Sequence, residues 1–173
     1  MRSSSTDKLL AGLLVLLFAG FLYTIRNSFE PRIIDKGDSA PSFAVTTESG
    51  KRVSAKDFGG KLLVLNFWAT WCPPCIDELP SLNQFAAEAA RDGVVVLGVS
   101  IDKNADKYKR FVKSNRLAFE TYNDPKADIA TDYGTFRWPE TYLIDRNGKV
   151  VEKYIGPVDW SDPRRVAQIK ALL

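Results

Sequence analysis

Residues 62–75, LLVLNFWATWCPPC, decide the fold of this chain. Their first seven residues form a nearly continuous apolar run, which is typical of a strand buried on both faces of a sheet. The run leads directly into Cys72 and Cys75, after which apolar residues recur at helical spacing as far as Ala89. The two prolines between the cysteines suit the first turn of a helix, where no backbone donor is needed. The segment therefore predicts a buried strand followed by a helix that begins at the cysteine pair.

The flanking sequence predicts further strands and helices. Upstream, residues 43–47 and 51–53 flank Glu48-Ser49-Gly50 and predict a hairpin. Downstream, the patterns predict a buried strand at 94–101 and then a helix with Tyr108, Phe111 and Val112 on its apolar face. A short strand at 119–122 and a helix at 126–133 follow. Strands at 141–145 and 150–155 are joined at Asn147-Gly148, and Asp162-Pro163 caps a final helix. Strands that alternate with helices, followed by a hairpin and a helix, predict an α/β sandwich around a mixed sheet.

The composition limits the chemistry that the chain can perform. Histidine is absent, and Cys72 and Cys75 are the only cysteines. These counts exclude zinc sites with His ligands or with four cysteines, Ser-His-Asp triads and Cys-His nucleophiles. The net charge of +3 is too small to indicate a nucleic-acid surface. We therefore expect no metal ion, no cofactor and no nucleic-acid partner.

The spacing of the cysteine pair favours a reactive disulfide. A bridge between Cys72 and Cys75 closes a very short loop and constrains the unfolded chain little, so it suits redox chemistry better than structural support. The positive end of a helix lowers the pKa of a thiol placed there, which predicts Cys72 as the attacking nucleophile. Cys75, one turn later and more buried, is expected to resolve the mixed disulfide. A zinc half-site and an inert disulfide are the alternatives.

Residues 66–75, NFWATWCPPC, resemble the active site of the membrane-anchored TlpA/ResA/CcmG-type thioredoxins. The resemblance extends over about residues 38–173: GDSAPSF at 37–43 is similar to the start of those domains, and WPETYLID at 138–145 to their segment around a cis-proline. Pro80 matches the kink proline of thioredoxins, and residues 103–122 resemble the insertion that separates this group from plain thioredoxin. The resemblance implies a thioredoxin-like sandwich with an N-terminal β-hairpin extension and a helix–strand insertion.

The same resemblance implies a set of substrate-binding residues. Pro139 corresponds to the cis-proline that abuts the cysteines, and Trp138 before it offers its backbone to an incoming substrate strand. Glu140 resembles the Pro-Glu-Thr version of the cytochrome c maturation reductases and is expected to be a second acid near the site. The alternatives are an ordinary edge-strand proline for Pro139, a core side chain for Trp138 and a surface glutamate for Glu140. The expected binding surface comprises Trp71, Pro73, Pro74, Trp138, Pro139 and Glu140.

Glu78 is the third expected catalytic residue, besides the two cysteines. Thioredoxin has a buried Asp where this chain has Asn66, and an Asn side chain cannot titrate. Glu78, three residues after Cys75, matches the active-site Glu of the TlpA/ResA-type group. At that spacing it is placed to exchange a proton with Cys75 while the mixed disulfide is released. The alternative is an exposed helical glutamate.

The N-terminal segment predicts a membrane anchor. Residues 9–25, LLAGLLVLLFAGFLYTI, carry no charge and are long enough to span a bilayer. We therefore predict a short cytoplasmic end at 1–8, a transmembrane signal anchor at 9–25, a linker at 26–37 and a catalytic domain at 38–173. That domain is expected outside the cytoplasmic membrane, which means in the periplasm of a Gram-negative cell. A signal peptide cut near Ala19 or Asn27 is the alternative.

The favoured function is reduction of disulfides in exported proteins, such as the Cys-x-x-Cys-His haem site of apocytochrome c. The resemblance implies a thiol-relay protein embedded in the same membrane as electron donor. A peroxiredoxin-like peroxidase is one alternative, but its Pro-x-x-x-Thr-x-x-Cys motif is absent before Cys72. A non-enzymatic copper carrier using the same two thiols is the other, although such carriers usually recruit His.

Overall fold

The computed structural model describes residues 5–28 and 33–173 and divides the chain into two units. The first unit contains helix α1 (Ser5–Ser28), which includes the predicted anchor at 9–25. Its segment Ser5–Ile25 is long and apolar enough to cross a membrane, a property that signal sequences share. Residues 1–4 of the predicted cytoplasmic end and residues 29–32 of the predicted linker lie outside the described residues.

The second unit contains the strands and the remaining helices. In chain order they are β1 (Ala44–Thr46), β2 (Arg52–Ser54), β3 (Leu62–Trp68), α2 (Pro73–Ala89), β4 (Val94–Ser100), α3 (Ala105–Asn115), β5 (Glu120–Asn123), α4 (Asp128–Asp132), β6 (Glu140–Asp145), β7 (Val150–Ile155) and α5 (Pro163–Lys170). The five-stranded sheet has the order β5-β4-β3-β6-β7. Strands β3, β4 and β5 are parallel, whereas β6 runs antiparallel to both β3 and β7, so the sheet is mixed as predicted.

Strand β3 lies at the centre of the sheet, and every one of its residues is buried. Its odd-numbered side chains, such as Phe67, pack with Tyr142 in the apolar cluster on one face. Its even-numbered side chains Leu62 and Val64 pack against Leu82 of α2 on the other face. Cover on both faces explains why the sequence of this strand is an almost unbroken apolar run. The site at its carboxyl end is therefore built on the most buried element of the domain.

The domain packs from an earlier residue than position 38, where the sequence predicted its start. Ile34 is 2% exposed and belongs to the same apolar cluster as Tyr133 and Val150. Its backbone N–H donates to the Tyr133 carbonyl at 3.1 Å, and the N–H of Gly37 donates to the Val150 carbonyl at 2.8 Å. The predicted linker therefore overlaps the folded domain at residues 34–37, because the Ile34 side chain packs in the core and backbone hydrogen bonds hold this segment against it.

Candidate active site around the Cys72–Cys75 disulfide

Cys72 and Cys75 form a disulfide at the point where β3 passes into α2. Cys72 is the N-cap of α2 in an extended conformation, and its Sγ accepts a hydrogen bond from the Cys75 backbone N–H at 3.3 Å. Pro73 and Pro74 occupy the first helical positions, where their missing donors cost nothing. The helix thus begins at the cysteine pair, as the sequence predicts.

The surroundings of the two sulfur atoms differ. Cys72 is 5% exposed and Cys75 is 1% exposed, so Cys72 is the more accessible of the pair. An N–H group and the positive end of a seventeen-residue helix face the Cys72 sulfur, and both favour a thiolate there. Cys75 lies inside the helix, where desolvation opposes ionisation.

The Trp138–Pro139 peptide bond is cis, and Pro139 is buried. Trp138 is half-buried and packs against the apolar cluster that contains both cysteines. Beside the disulfide, Trp71 is 54% exposed, Pro73 is exposed and Pro74 is half-buried. The structure therefore brings five of the six expected binding residues to one region and leaves an exposed indole next to Cys72.

Glu78 is buried rather than exposed on the surface of α2. Its Oε1 accepts hydrogen bonds from Asn66 Nδ2 and Trp160 Nε1, each at 3.0 Å, and its Oε2 accepts one from the Val158 backbone N–H at 2.9 Å. Burial raises the pKa of Glu78, while the three donors partly oppose that rise. The carboxyl group is thus held in one position by neutral donors, with its charged form destabilised by desolvation.

A comparison with known proteins identifies the family. The model of the AhpC/TSA family matches residues 36–153, which is more than half of the chain. The chain belongs to this family. The thiol–disulfide oxidoreductase ResA of Bacillus thuringiensis subsp. konkukian is 38% identical over 120 residues, which cover 69% of each protein. The thioredoxin-like protein YneN of Bacillus subtilis is 35% identical over 156 residues, covering 86% of this chain and 90% of YneN.

Solved structures agree with this assignment. A thiol:disulfide interchange protein described as DsbE, from Chlorobium tepidum, is 34% identical with a TM-score of 0.72, covering 80% of this chain and 98% of its own. StoA from Bacillus subtilis is 27% identical with a TM-score of 0.65, covering 77% of this chain and 96% of StoA. These findings confirm the predicted thioredoxin-like fold, and the chain is a thiol–disulfide oxidoreductase of the ResA type.

In this oxidoreductase Glu140 does not lie on the surface, nor on the sheet face that α2 covers. It pairs with Phe67 in the sheet register and shares that residue's face, whereas Asn66 and Thr141 point to the face of Glu78. The Glu140 carboxylate is fully buried, 2.8 Å from Lys153 Nζ. It also accepts a hydrogen bond from the Tyr142 hydroxyl at 2.6 Å. The side-chain alternation of β6 thus turns this acid away from the side on which Glu78 lies.

Asp102 is a residue of this region that the sequence analysis missed. It follows β4 and is 1% exposed, and its carboxylate accepts hydrogen bonds from the Thr70 backbone N–H at 2.8 Å and the Thr70 hydroxyl at 2.6 Å. The Ser100 hydroxyl donates a third at 2.7 Å. Asp102 therefore ties the turn before Cys72 to the neighbouring strand. The sequence signal for Asp102 is a carboxylate directly after the predicted buried strand. Because parallel strands end at the same edge of a sheet, such a residue lies near the end of the strand that leads to Cys72.

Proposed function

We propose that this oxidoreductase is a reductant of disulfides in exported proteins, with Cys72 as attacking thiolate and Cys75 as resolving thiol. The observation that carries the proposal is the position of Cys72 at the N-cap of α2, with a backbone N–H directed at its sulfur. A thiolate there is stabilised without any histidine, which the chain lacks. The exposed Trp71 and the neighbouring cis-proline loop leave room for a protein substrate beside it.

The reaction transfers two electrons in two exchange steps. The Cys72 thiolate attacks one sulfur of the substrate disulfide, a mixed disulfide forms, and the other substrate sulfur leaves as a thiolate and takes up a proton. Cys75 then loses its proton and attacks the Cys72 sulfur, which releases the second substrate sulfur. The substrate ends as a dithiol and the enzyme as the Cys72–Cys75 disulfide. A thiol-relay protein in the same membrane returns the two electrons to the enzyme.

Glu78 accepts the proton that Cys75 must lose in the second step. Residues three apart on a helix are neighbours, so Glu78 lies one turn from Cys75 on the same element. The raised pKa of Glu78 makes its carboxylate a better proton acceptor than an exposed glutamate. Glu78 borders an open depression of about 330 Å³ that Asp77 and Asp159 also line. A proton taken from Cys75 can therefore leave through this depression.

Helix α1 supports a location at the outer face of the cytoplasmic membrane. It is apolar over the length of a bilayer, so it can anchor the chain in that membrane. The catalytic domain is then extracytoplasmic, where disulfides of exported proteins form. The Cys-x-x-Cys-His segment of apocytochrome c is the substrate class that the family resemblance favours, because haem attachment requires its two thiols to be reduced.

A trapping experiment tests the proposed function. Cys75→Ser in the native host blocks resolution, so exported proteins with paired cysteines should accumulate as mixed disulfides with Cys72. The double variant Cys72→Ser/Cys75→Ser is the matched control and should capture nothing. Capture of cytoplasmic proteins alone would contradict the extracytoplasmic location. Stoichiometric Cu⁺ binding by the reduced chain, together with no captured protein, would favour the copper carrier instead.

A further inference from the structure

An open pocket of about 500 Å³ lies on the α3 side of Trp71. Its apolar lining residues are Trp71, Ile101, Pro125 and Ala127. Trp71 directly precedes Cys72 in the chain, so one lining residue of the pocket is the chain neighbour of the attacking cysteine. A substrate residue one or two positions from its reacting cysteine lies only about 4–7 Å further along an extended chain. The flanks of a substrate bound to Cys72 can therefore reach this pocket.

The rim of the pocket is cationic. Lys103, Lys107 and Lys126 line it, and all three are exposed. Within residues 5–28 and 33–173, none of these ammonium groups forms a salt bridge. The pocket also includes Asn104, the N-cap of α3, and the N-terminal end of a helix adds partial positive charge.

The acidic groups nearby do not cancel this charge. Asp102 is the one carboxylate that lines the pocket, and its oxygens already accept hydrogen bonds from Thr70 and Ser100. Three lysines against one aspartate leave the lining with a net positive charge. Asp106 and Asp128 lie on the adjoining helices but do not line the pocket.

We propose that this pocket binds an acidic segment of the substrate protein that flanks the disulfide under attack. The proposal rests on the reductant function proposed above and adds to it a preference in substrate sequence. The lysine rim attracts carboxylates, while the indole of Trp71 and the neighbouring apolar side chains cover the aliphatic part of the same segment. Attraction of this kind raises the rate of productive encounter more than the strength of the final complex.

The test compares matched peptide disulfides with the reduced full-length chain in detergent micelles. One peptide carries Glu on both sides of a Cys-x-x-Cys disulfide, and its control carries Gln at the same positions. At low salt the wild-type chain should reduce the Glu peptide about fivefold to tenfold faster. At 0.5 M NaCl the difference should fall below about twofold, because exposed charges are then screened.

Two charge-matched variants locate the effect. Lys103→Gln/Lys107→Gln removes two rim charges and should abolish the preference for the Glu peptide. Lys109→Gln/Lys113→Gln removes the same charge from exposed positions of α3 that do not line the pocket, and it should retain the preference. Equal rates for the two peptides with the wild-type chain, or loss of the preference in both variants alike, would overturn the proposal.

A neutral small disulfide separates this proposal from the function on which it rests. Bis(2-hydroxyethyl) disulfide carries no charge, so the wild-type chain and both variants should reduce it at similar rates. Reduction of this compound without any preference between the peptides would overturn the acidic-segment proposal alone. Failure of the wild-type chain to reduce either peptide or the neutral disulfide would overturn the reductant function and this proposal together.

Discussion

The domain buries two glutamates on opposite faces of its sheet, and their partners differ in kind. Glu78 accepts hydrogen bonds from neutral donors, Asn66, Trp160 and a backbone N–H, and it borders a depression open to solvent. Glu140 lies 2.8 Å from the ammonium group of Lys153, which is itself almost fully buried. Burial among neutral donors raises the pKa of Glu78, whereas the Glu140 carboxylate forms an ion pair inside the core. We infer that Glu78 serves chemistry and Glu140 serves structure.

The largest expected effect comes from breaking the Glu140 pair. Lys153→Met leaves a buried carboxylate without its cation and also removes the hydrogen bond from Lys153 to the Ile34 carbonyl. It should lower the free energy of unfolding by about 3–5 kcal/mol, measured by denaturant titration with tryptophan fluorescence. The double variant Glu140→Gln/Lys153→Met, which buries no charge, should recover most of that loss. A loss below about 1 kcal/mol for Lys153→Met would show that the pair is not buried in solution.

A smaller effect is expected when one donor to Glu78 is removed. Trp160→Phe deletes the indole N–H that Glu78 accepts but keeps an aromatic ring against Phe85. With one donor fewer, the pKa of Glu78 should rise further, at a cost of about 1–3 kcal/mol in stability. The pH at which the resolution step reaches half its maximal rate should move upward with it. An unchanged pH profile would mean that Trp160 only fills space.

The sequence predicts the position of Glu78 on its helix but not the sheet face on which Glu140 lies, and the reason is physical. Glu78 lies on the helix that begins at Cys72, so helical spacing alone places it one turn beyond Cys75. Its burial depends on Trp160, more than eighty residues later, which no local pattern indicates. The orientation of Glu140 depends on the register between β3 and β6. A shift of one residue in that register would turn Glu140 to the other face of the sheet, and the sequence does not specify it.

In the rest of the domain too, features set by adjacent residues are predicted and features set by distant contacts are not. The β3–Cys–α2 unit is predicted residue by residue, because its apolar run, its prolines and its cysteines are adjacent in the chain. The roles of Asp102 and Ile34 were missed, because each depends on contacts with distant segments. Local signals thus fix the position of the reactive cysteines, and long-range contacts fix the groups that support them.

The smallest expected effect concerns the pH dependence of stability. Because burial raises the pKa of Glu78 above its ordinary value of 4.5, the folded state holds this proton more tightly than the unfolded state. The resulting stabilisation is complete below pH 4.5 and is lost as the pH rises through the raised pKa. The wild-type free energy of unfolding, measured relative to Glu78→Gln, should therefore fall as the pH rises from 4.5 through the raised pKa. Glu140→Gln/Lys153→Met should retain this fall, and its absence there would show that Glu78 is not the source of the pH dependence.

The most direct test of the different roles of the two glutamates is stopped-flow kinetics of the reduced chain with a Cys-x-x-Cys-His peptide disulfide. Glu78→Gln should leave the initial attack by Cys72 within about twofold of wild type and slow the resolution step by about 10²-fold, so that mixed disulfides accumulate. Glu140→Gln/Lys153→Met should leave both steps unchanged. If Glu78→Gln resolves at the wild-type rate with the wild-type pH profile, Glu78 does not accept the proton of Cys75.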